Sequence, residues 1–184
     1  MRKIVQYETK WSLLYQMEKE ALLNTLKDFS VDIEHIGSTS VPGLAGSPIV
    51  DILIGVKREE DINEVRAILK NKSHVYVAEK EMFVLLKEGV RAAHYPPIMT
   101  AKNARKLIPH DARRSHVYVT VSESPYWNER INFREQLRSN ERARKKYEGM
   151  KYELSKRLWN DISTYEYKKR IHSAQSIKTS FQLK

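Results

Sequence analysis

The chain has 184 residues, of which 41% are hydrophobic, with a net charge of +10 and no cysteine. This length suits one domain that buries a core, and the lack of cysteine excludes disulfides, Cys-based zinc sites and a thiol nucleophile. No apolar run approaches the ~20 residues that span a bilayer, and charge comes too early at the N-terminus for a signal peptide, so we expect a soluble cytoplasmic protein with no membrane partner.

The net positive charge of the chain comes entirely from its second half. Residues 1–99 carry 13 basic and 14 acidic side chains, whereas residues 100–184 carry 20 basic and 9 acidic ones. This half would attract an anionic partner such as a nucleotide, a nucleic acid or an acidic protein. A solvated helical surface rich in Lys and Arg explains the same composition.

The first half of the sequence alternates helices and strands. Apolar residues at helical spacing predict helices over residues 11–29 and 59–70. Short β-branched runs predict strands over residues 31–36 and 49–56. Further strands are predicted over residues 75–78, 82–86 and 117–121. The prolines between residues 95 and 114 predict an irregular surface loop.

Helical signals dominate after residue 122. Ser124 and Pro125 are typical of a helix start, and Asn140 can cap the next helix. Ser163 and Glu166 form a capping box for a last helix that reaches about residue 171. We predict one domain over residues 1–184, with a core of about 1–122 and a helical extension of about 124–172. The fold class is α/β (α+β), with a mixed sheet of four to five strands.

The stretch EHIGSTSVPGLAGSPIVDILIGV carries the chemistry. Its first strand ends at Gly37 and Ser38, and a helix start there would present backbone N–H groups and the hydroxyls of Ser38 and Thr39 to a phosphate. Strand alternation places Asp51 apart from the continuously apolar face of the next strand, where it can reach a cleft and hold Mg²⁺. Alternatively, the glycine and prolines only build a turn, and Asp51 caps a helix or pairs with a basic residue.

The motifs EHIGSTSVPGL, PIVDILIGV and FREQLRSNERARKKYEGMKYEL resemble the GrpB family over nearly the whole chain. The resemblance implies a nucleotidyltransferase-superfamily fold, whose pattern is Gly-Ser at a helix start, Asp-x-Asp on a strand and a third carboxylate on a later strand. Gly37 and Ser38 match the first element, and Asp51 matches the first aspartate. Leu53 stands at the second aspartate, and His116 lies where the third acid is expected.

These departures matter because two-metal nucleotidyl transfer needs several carboxylates. His35 and His116 each lie on a strand and are predicted to face Asp51. With Asp51 they would bind a transition metal better than Mg²⁺, or supply a general base. Alternatively, each histidine is only a hydrogen-bonding group in a polar cleft.

The basic half offers further ligands for a nucleotide. Arg114 lies two residues before His116 and is predicted to meet a phosphate. Arg134 and Arg138 belong to the FRxxLR stretch, where Arg134 can equally be a structural ion-pair partner. The basic run over residues 142–146 is typical of a solvated helix face without a stacking platform, so nucleic acid is not the expected partner.

The resemblance therefore implies a transferase that would move a nucleotidyl group from a nucleoside triphosphate, bound with Mg²⁺ or another divalent metal, to a small-molecule acceptor. Its predicted site combines Asp51, His116 and His35 with the Gly-Ser turn. A nucleotide- or anion-binding protein that has lost the chemistry fits nearly as well, because Leu53 replaces an acid. A basic interaction module is a third class, and it leaves Asp51 unexplained.

Overall fold

The structure, a computed structural model, describes residues 4–70 and 74–156. Five α-helices and six strands alternate along this part of the chain. In chain order they are α1 (Lys10–Thr25), β1 (Val31–Ile36), β2 (Val50–Val56), α2 (Asp61–Lys70), β3 (His74–Val77), β4 (Met82–Leu86), β5 (Ile98–Met99), α3 (Ala101–Leu107), β6 (Arg113–Val121), α4 (Pro125–Ser139) and α5 (Glu141–Lys156).

The strands form one mixed sheet in the order β1-β2-β6-β4-β3-β5. β2 and β6 are parallel neighbours at the centre, and β1 and β4 flank them in antiparallel orientation. β3 continues antiparallel to β4, and β5 is parallel to β3. The predicted α/β class with a mixed sheet is confirmed, although the described residues hold six strands rather than four to five.

Both faces of the central strand β2 are covered. Val50, Ile52 and Ile54 point toward α1 and α2 and belong to the largest apolar cluster. On the other face Leu53 is fully buried and packs with Ile36 and with Trp127 of α4. A strand buried on both sides is expected to be apolar along its length, so the one carboxylate in it requires a local explanation.

The predicted starts of the last two described helices are confirmed. The Ser124 hydroxyl accepts from the backbone N–H of Trp127 at 3.3 Å, with Pro125 in the first turn. The side-chain oxygen of Asn140 accepts from the N–H of Ala143 at 2.9 Å. Such bonds satisfy backbone donors that a helix start leaves unpaired. The helix predicted from Ser163 to about residue 171 lies outside the described residues.

The prediction of an irregular loop over residues 95–114 was wrong. The segment contains β5 and α3, and β6 begins within it at Arg113. The N–H of Tyr76 donates to the carbonyl of Pro97 at 2.8 Å, which brings β5 alongside β3. Thr100 caps α3 by accepting from the N–H of Asn103 at 3.1 Å. The prolines precede and follow these elements and so do not interrupt them.

The first helix is shorter than the sequence predicts. It ends at Thr25, four residues before its predicted end, and the chain then turns into β1.

Among the helices that the structure describes, none has both the length and the apolar character required to cross a bilayer.

Candidate functional site

The candidate site lies where β1 ends beside the start of β2. In this antiparallel pair Ile36 is opposite Asp51, so the next residue, Gly37, turns over the Asp51 side chain. Gly37 has φ +73°, and a Cβ built on it would lie only 2.4 Å from Oδ2 of Asp51. The carboxylate therefore occupies the space that any other residue at position 37 would fill. This close approach explains why the turn contains glycine.

Asp51 pairs with His116 across the two central parallel strands. The two residues are register partners, and Oδ1 of Asp51 lies 3.1 Å from Nδ1 of His116. Because an ionised carboxylate only accepts, Nδ1–H of His116 donates in this bond. Nε2 of His116 is buried and has no hydrogen-bond partner among the described residues. The side chains of Asp51 and His116 are 28% and 16% exposed.

His35 lies on the opposite face of the sheet, so the expectation that both histidines face Asp51 was wrong for this one. Alternation along β1 places Ile36, not His35, on the face of Asp51. The imidazole stacks on the ring of Tyr15 with 4.7 Å between centroids. Its Nε2 lies 3.0 Å from Oγ1 of Thr39. Burial lowers the pKa of His35 to about 4, so the ring is neutral near pH 7.

The Gly-Ser turn is shorter than the predicted helix start. Residues 38–40 form a single turn of 3₁₀-helix. Thr39 is 2% exposed, and its hydroxyl donates to the carbonyl of Ile49 at 3.4 Å. That hydroxyl therefore points into the protein rather than toward a ligand. Ser38 is partly exposed and is the residue of this pair that a ligand can reach.

A buried lysine from α5 contacts the turn, and the sequence reasoning missed it. Lys151 is 3% exposed, and its ammonium group donates to Oγ of Ser38 at 2.8 Å and to the carbonyl of Ala45 at 2.6 Å. One feature of the sequence indicates that Lys151 is buried: it falls at helical spacing with the buried residues Tyr147 and Leu154. A lysine on a buried stripe requires a polar partner inside the protein.

Two arginines of α4 hold the same segment by its backbone. Arg134 donates from Nη1 to the carbonyl of His35 at 2.8 Å and to Oε2 of Glu34 at 2.6 Å. Arg138 donates from Nε and Nη2 to the carbonyl of Ser40, at 3.0 and 2.7 Å. The FRxxLR arginines thus bind the loop that carries the Gly-Ser turn. Part of the basic excess of the second half serves this purpose.

Arg114 is engaged elsewhere. Its Nε lies 2.5 Å from Oε1 of Glu18, a residue of α1 that is 5% exposed. The same carboxylate oxygen accepts from the hydroxyl of Ser115 at 3.1 Å. Because α1 packs against the face of the sheet opposite Asp51, this ion pair draws Arg114 away from the Asp51–His116 pair. A phosphate would have to compete with Glu18 for it.

The donor set does not fit two metal ions. Among the described residues, no group of three or more His, Asp or Glu side chains is placed to hold a metal. Leu53, where the resemblance leads us to expect a second acid, is fully buried in an apolar cluster. Asp51 can therefore contribute one carboxylate to a single ion whose other ligands come from outside the protein.

Comparison with known proteins identifies the family. The sequence pattern described as GrpB protein matches residues 2–178, almost the entire chain. The chain belongs to the GrpB family. UPF0157 protein SCO7215 of Streptomyces coelicolor is 31% identical over 159 residues, which cover 86% of this chain and 73% of that protein. Glutamate-rich protein GrpB of Alkalihalophilus pseudofirmus is 27% identical over 174 residues, covering 91% of this chain and 88% of the relative.

A solved structure shares the fold of this GrpB protein. The crystal structure of conserved protein GrpB from Enterococcus faecalis matches it with a TM-score of 0.70 and 23% identity, covering 97% of this chain and 99% of that one. The family resemblance of the three sequence motifs is thus confirmed. The names of these relatives state no reaction, so the chemistry of this site follows from its geometry.

Proposed function

We propose that this GrpB protein is a nucleotidyltransferase-like enzyme that transfers a nucleotidyl group from a nucleoside triphosphate to a hydroxyl group of a small-molecule acceptor. The observation that carries the proposal is the Asp51–His116 pair at 3.1 Å, set directly against Gly37. A carboxylate that orients an imidazole, whose second nitrogen lacks a partner among the described residues, is an arrangement suited to general base catalysis.

In the proposed reaction His116 accepts the proton of the acceptor hydroxyl at Nε2. The hydroxyl oxygen forms a bond to the α-phosphorus of the nucleotide, and the bond from that phosphorus to the bridging oxygen breaks. Pyrophosphate leaves with the bonding electrons. Asp51 accepts the Nδ1–H bond throughout, which fixes the ring orientation and stabilises the imidazolium that forms.

The phosphates would be bound at the Gly-Ser turn. The Ser38 hydroxyl is partly exposed, and the Lys151 ammonium behind it supplies positive charge. Thr39 and His35 support the turn from inside instead of touching the nucleotide. Arg114 would contribute only if the nucleotide displaced it from Glu18. A divalent ion held by Asp51 and phosphate oxygens would neutralise charge on the leaving group.

The second candidate is a nucleotide- or anion-binding protein without transferase activity. Leu53 supports it, because this fully buried residue stands where a second metal-binding acid is expected. Such a protein would keep the Gly-Ser turn and its contacts with Lys151 and use Asp51 only to fill the space above Gly37. The two candidates differ in turnover and not in nucleotide binding.

Thermal unfolding with a panel of nucleotides tests both candidates. Wild type, Asp51→Ala and the exposed control Asp28→Ala would each be unfolded with Mg²⁺, Mn²⁺, Zn²⁺ or chelator present. A nucleotide at a hundredfold excess over its Kd should stabilise wild type by about 2.7 kcal/mol. We expect this gain to require the metal, to disappear in Asp51→Ala and to persist in Asp28→Ala.

Turnover is measured on the nucleotide that stabilises the protein. Release of pyrophosphate with a mixture of hydroxyl-bearing metabolites, reduced at least about a hundredfold in His116→Gln, would support the transferase. Stabilisation without pyrophosphate release would favour the binding protein. If no nucleotide stabilises wild type, the transferase is wrong, and so is a protein that binds nucleotides.

A further inference from the structure

A cavity lies toward the other end of β6, away from His116. Its volume is about 500 Å³, and it is bounded by α2, by Lys80 and Glu81 before β4, by Tyr118 to Thr120 of β6 and by Tyr126 of α4. This volume is within the range of small-molecule sites. Neither Asp51 nor His116 lines it, so a ligand there would be separate from the proposed nucleotide.

The cavity forms because β4 is shorter than β6. β4 begins at Met82, opposite Tyr118, so no described residue pairs with residues 119–121 on the β4 side. Glu81 adopts φ 46° and ψ 44°, a left-handed conformation that is uncommon for a residue other than glycine, and it turns the chain away from the ladder. Strained residues of this kind are found at ligand sites. The result is a notch in the sheet beside residues 119–121 of β6.

Arg66 of α2 partly fills this notch. Its Nη2 donates to the carbonyl of Val119 at 3.3 Å and its Nη1 to Oε1 of Glu81 at 3.0 Å. The side chain is only 16% exposed. Its Nε is buried and has no acceptor among the described residues. A buried donor without an acceptor is unfavourable, and an anionic group in the cavity would satisfy it.

Charges of both signs line the cavity. Arg66 and Lys80 are cationic, whereas Glu59 and Glu81 are anionic, and Tyr126 contributes an aromatic ring that is 37% exposed. We infer that the notch binds a small zwitterion that carries a carboxylate and an ammonium group, of amino-acid to dipeptide size. The carboxylate is bound by Arg66 and Lys80. The ammonium group is bound by the two glutamates, and the apolar part lies on the tyrosine ring.

The test is a titration of the ¹⁵N-labelled full chain with free amino acids and glycyl dipeptides at millimolar concentration, following the Nε–H resonance of Arg66 by NMR. Each compound that shifts this resonance is retested in its C-amidated and N-acetylated forms. Dissociation constants from calorimetry are then compared for wild type, Arg66→Gln and Lys80→Gln. Arg105→Gln on α3, an exposed arginine that does not line the notch, is the matched control.

We expect at least one zwitterion to shift the Arg66 resonance and to lose about tenfold or more in affinity when either end is blocked. Arg66→Gln should weaken binding by a similar factor, Lys80→Gln by a smaller one, and Arg105→Gln should leave it unchanged. Lys80 is exposed, so its variant remains informative if Arg66→Gln fails to fold. Absence of any shift, equal binding of the blocked forms, or equal affinity in Lys80→Gln and wild type would each overturn the assignment.

Discussion

At the residue scale, two separate constraints require glycine at position 37: its backbone conformation and the lack of space for a side chain. Its φ of +73° favours glycine, and the space beside its α-carbon holds the carboxylate of Asp51. Gly43 has a similar φ of +77°, but a Cβ there would meet nothing within 4 Å. Comparing alanine substitutions at the two glycines therefore distinguishes the free-energy cost of the backbone conformation from the free-energy cost of displacing Asp51.

We predict that Gly37→Ala destabilises the protein by about 2–4 kcal/mol and Gly43→Ala by about 1 kcal/mol. Both alanines bear the strain of positive φ, whereas only the one at position 37 forces Asp51 to move from His116. Urea unfolding gives the free energies, and the ¹⁵N shift of Nδ1 in His116 reports the pair. Equal losses in the two variants would show that Asp51 does not constrain position 37.

His35 makes stability depend on pH. Burial lowers its pKa to about 4 in the folded protein, against 6.5 when it is exposed on unfolding. Between these values the unfolded chain binds a proton that the native protein does not. The free energy of unfolding therefore rises with pH from about 4 to 6.5, by up to ~1.4 kcal/mol per unit and about 3 kcal/mol in all.

The variant His35→Gln should lose this contribution while keeping a group that can bond to Thr39. Urea unfolding across pH 4–7 would show a flatter dependence than in wild type. The same substitution at the exposed His94 should retain the wild-type slope. An unchanged slope in His35→Gln would mean that other groups produce the dependence.

At the element scale, most helices and strands could be predicted because their signals are local. The cap of α4 is a Ser-Pro step, and β2 carries β-branched residues at every second position from Val50 to Val56. α3 was missed because Pro97 and Pro109 suggested a loop, although Thr100 is a typical N-cap residue. Short elements beside prolines are held by tertiary pairing, which local patterns do not contain.

The candidate site was predictable in part for the same reason. Gly37, Ser38 and Asp51 lie in one contiguous motif. His116 was predicted from the family resemblance, and the structure places it as the register partner of Asp51. The contact between Lys151 and Ser38 joins residues 113 positions apart, so no local pattern could specify it. The face of the sheet on which His35 lies depends on the strand register, because a shift of one residue moves a side chain to the other face.

We predict that Lys151→Met destabilises the protein by about 2–4 kcal/mol, because it leaves the Ala45 carbonyl and the Ser38 hydroxyl without this donor. Methionine retains most of the buried volume, so the loss reports the polar contacts. Lys145→Met on the same helix is the control, since that lysine is 74% exposed and pairs with Glu141 in an i,i+4 bridge. It should change stability by less than about 0.5 kcal/mol. Comparable effects of the two substitutions in urea unfolding would contradict a structural role for Lys151.

On the scale of the whole molecule, α4 and α5 pack against the loop between β1 and β2 and hold it in place. Val41 and Leu44 of this loop are fully buried and pack with Leu137 and Tyr147 of the two helices. The carboxylate of Glu148 accepts from the N–H of Ala45 at 2.8 Å. A helical extension that supplies core contacts to the loop is not separable from it, so we expect the chain to unfold as one cooperative unit.

Truncation tests this cooperativity. Residues 1–156 end with α5, and residues 1–140 end before it, so the difference between the two fragments reports α5 alone. We predict that the shorter fragment loses at least about 3 kcal/mol, because Tyr147, Glu148 and Lys151 all leave the loop, and large buried side chains contribute about 2–5 kcal/mol each when removed from a core. Urea unfolding, followed by far-ultraviolet circular dichroism and by tryptophan fluorescence, gives the free energy of unfolding of each fragment. It also shows whether the transitions seen by the two probes coincide, as cooperative unfolding requires. If residues 1–140 unfold at the same urea concentration as residues 1–156, α5 does not stabilise the loop, and the Gly-Ser turn is held by the sheet alone.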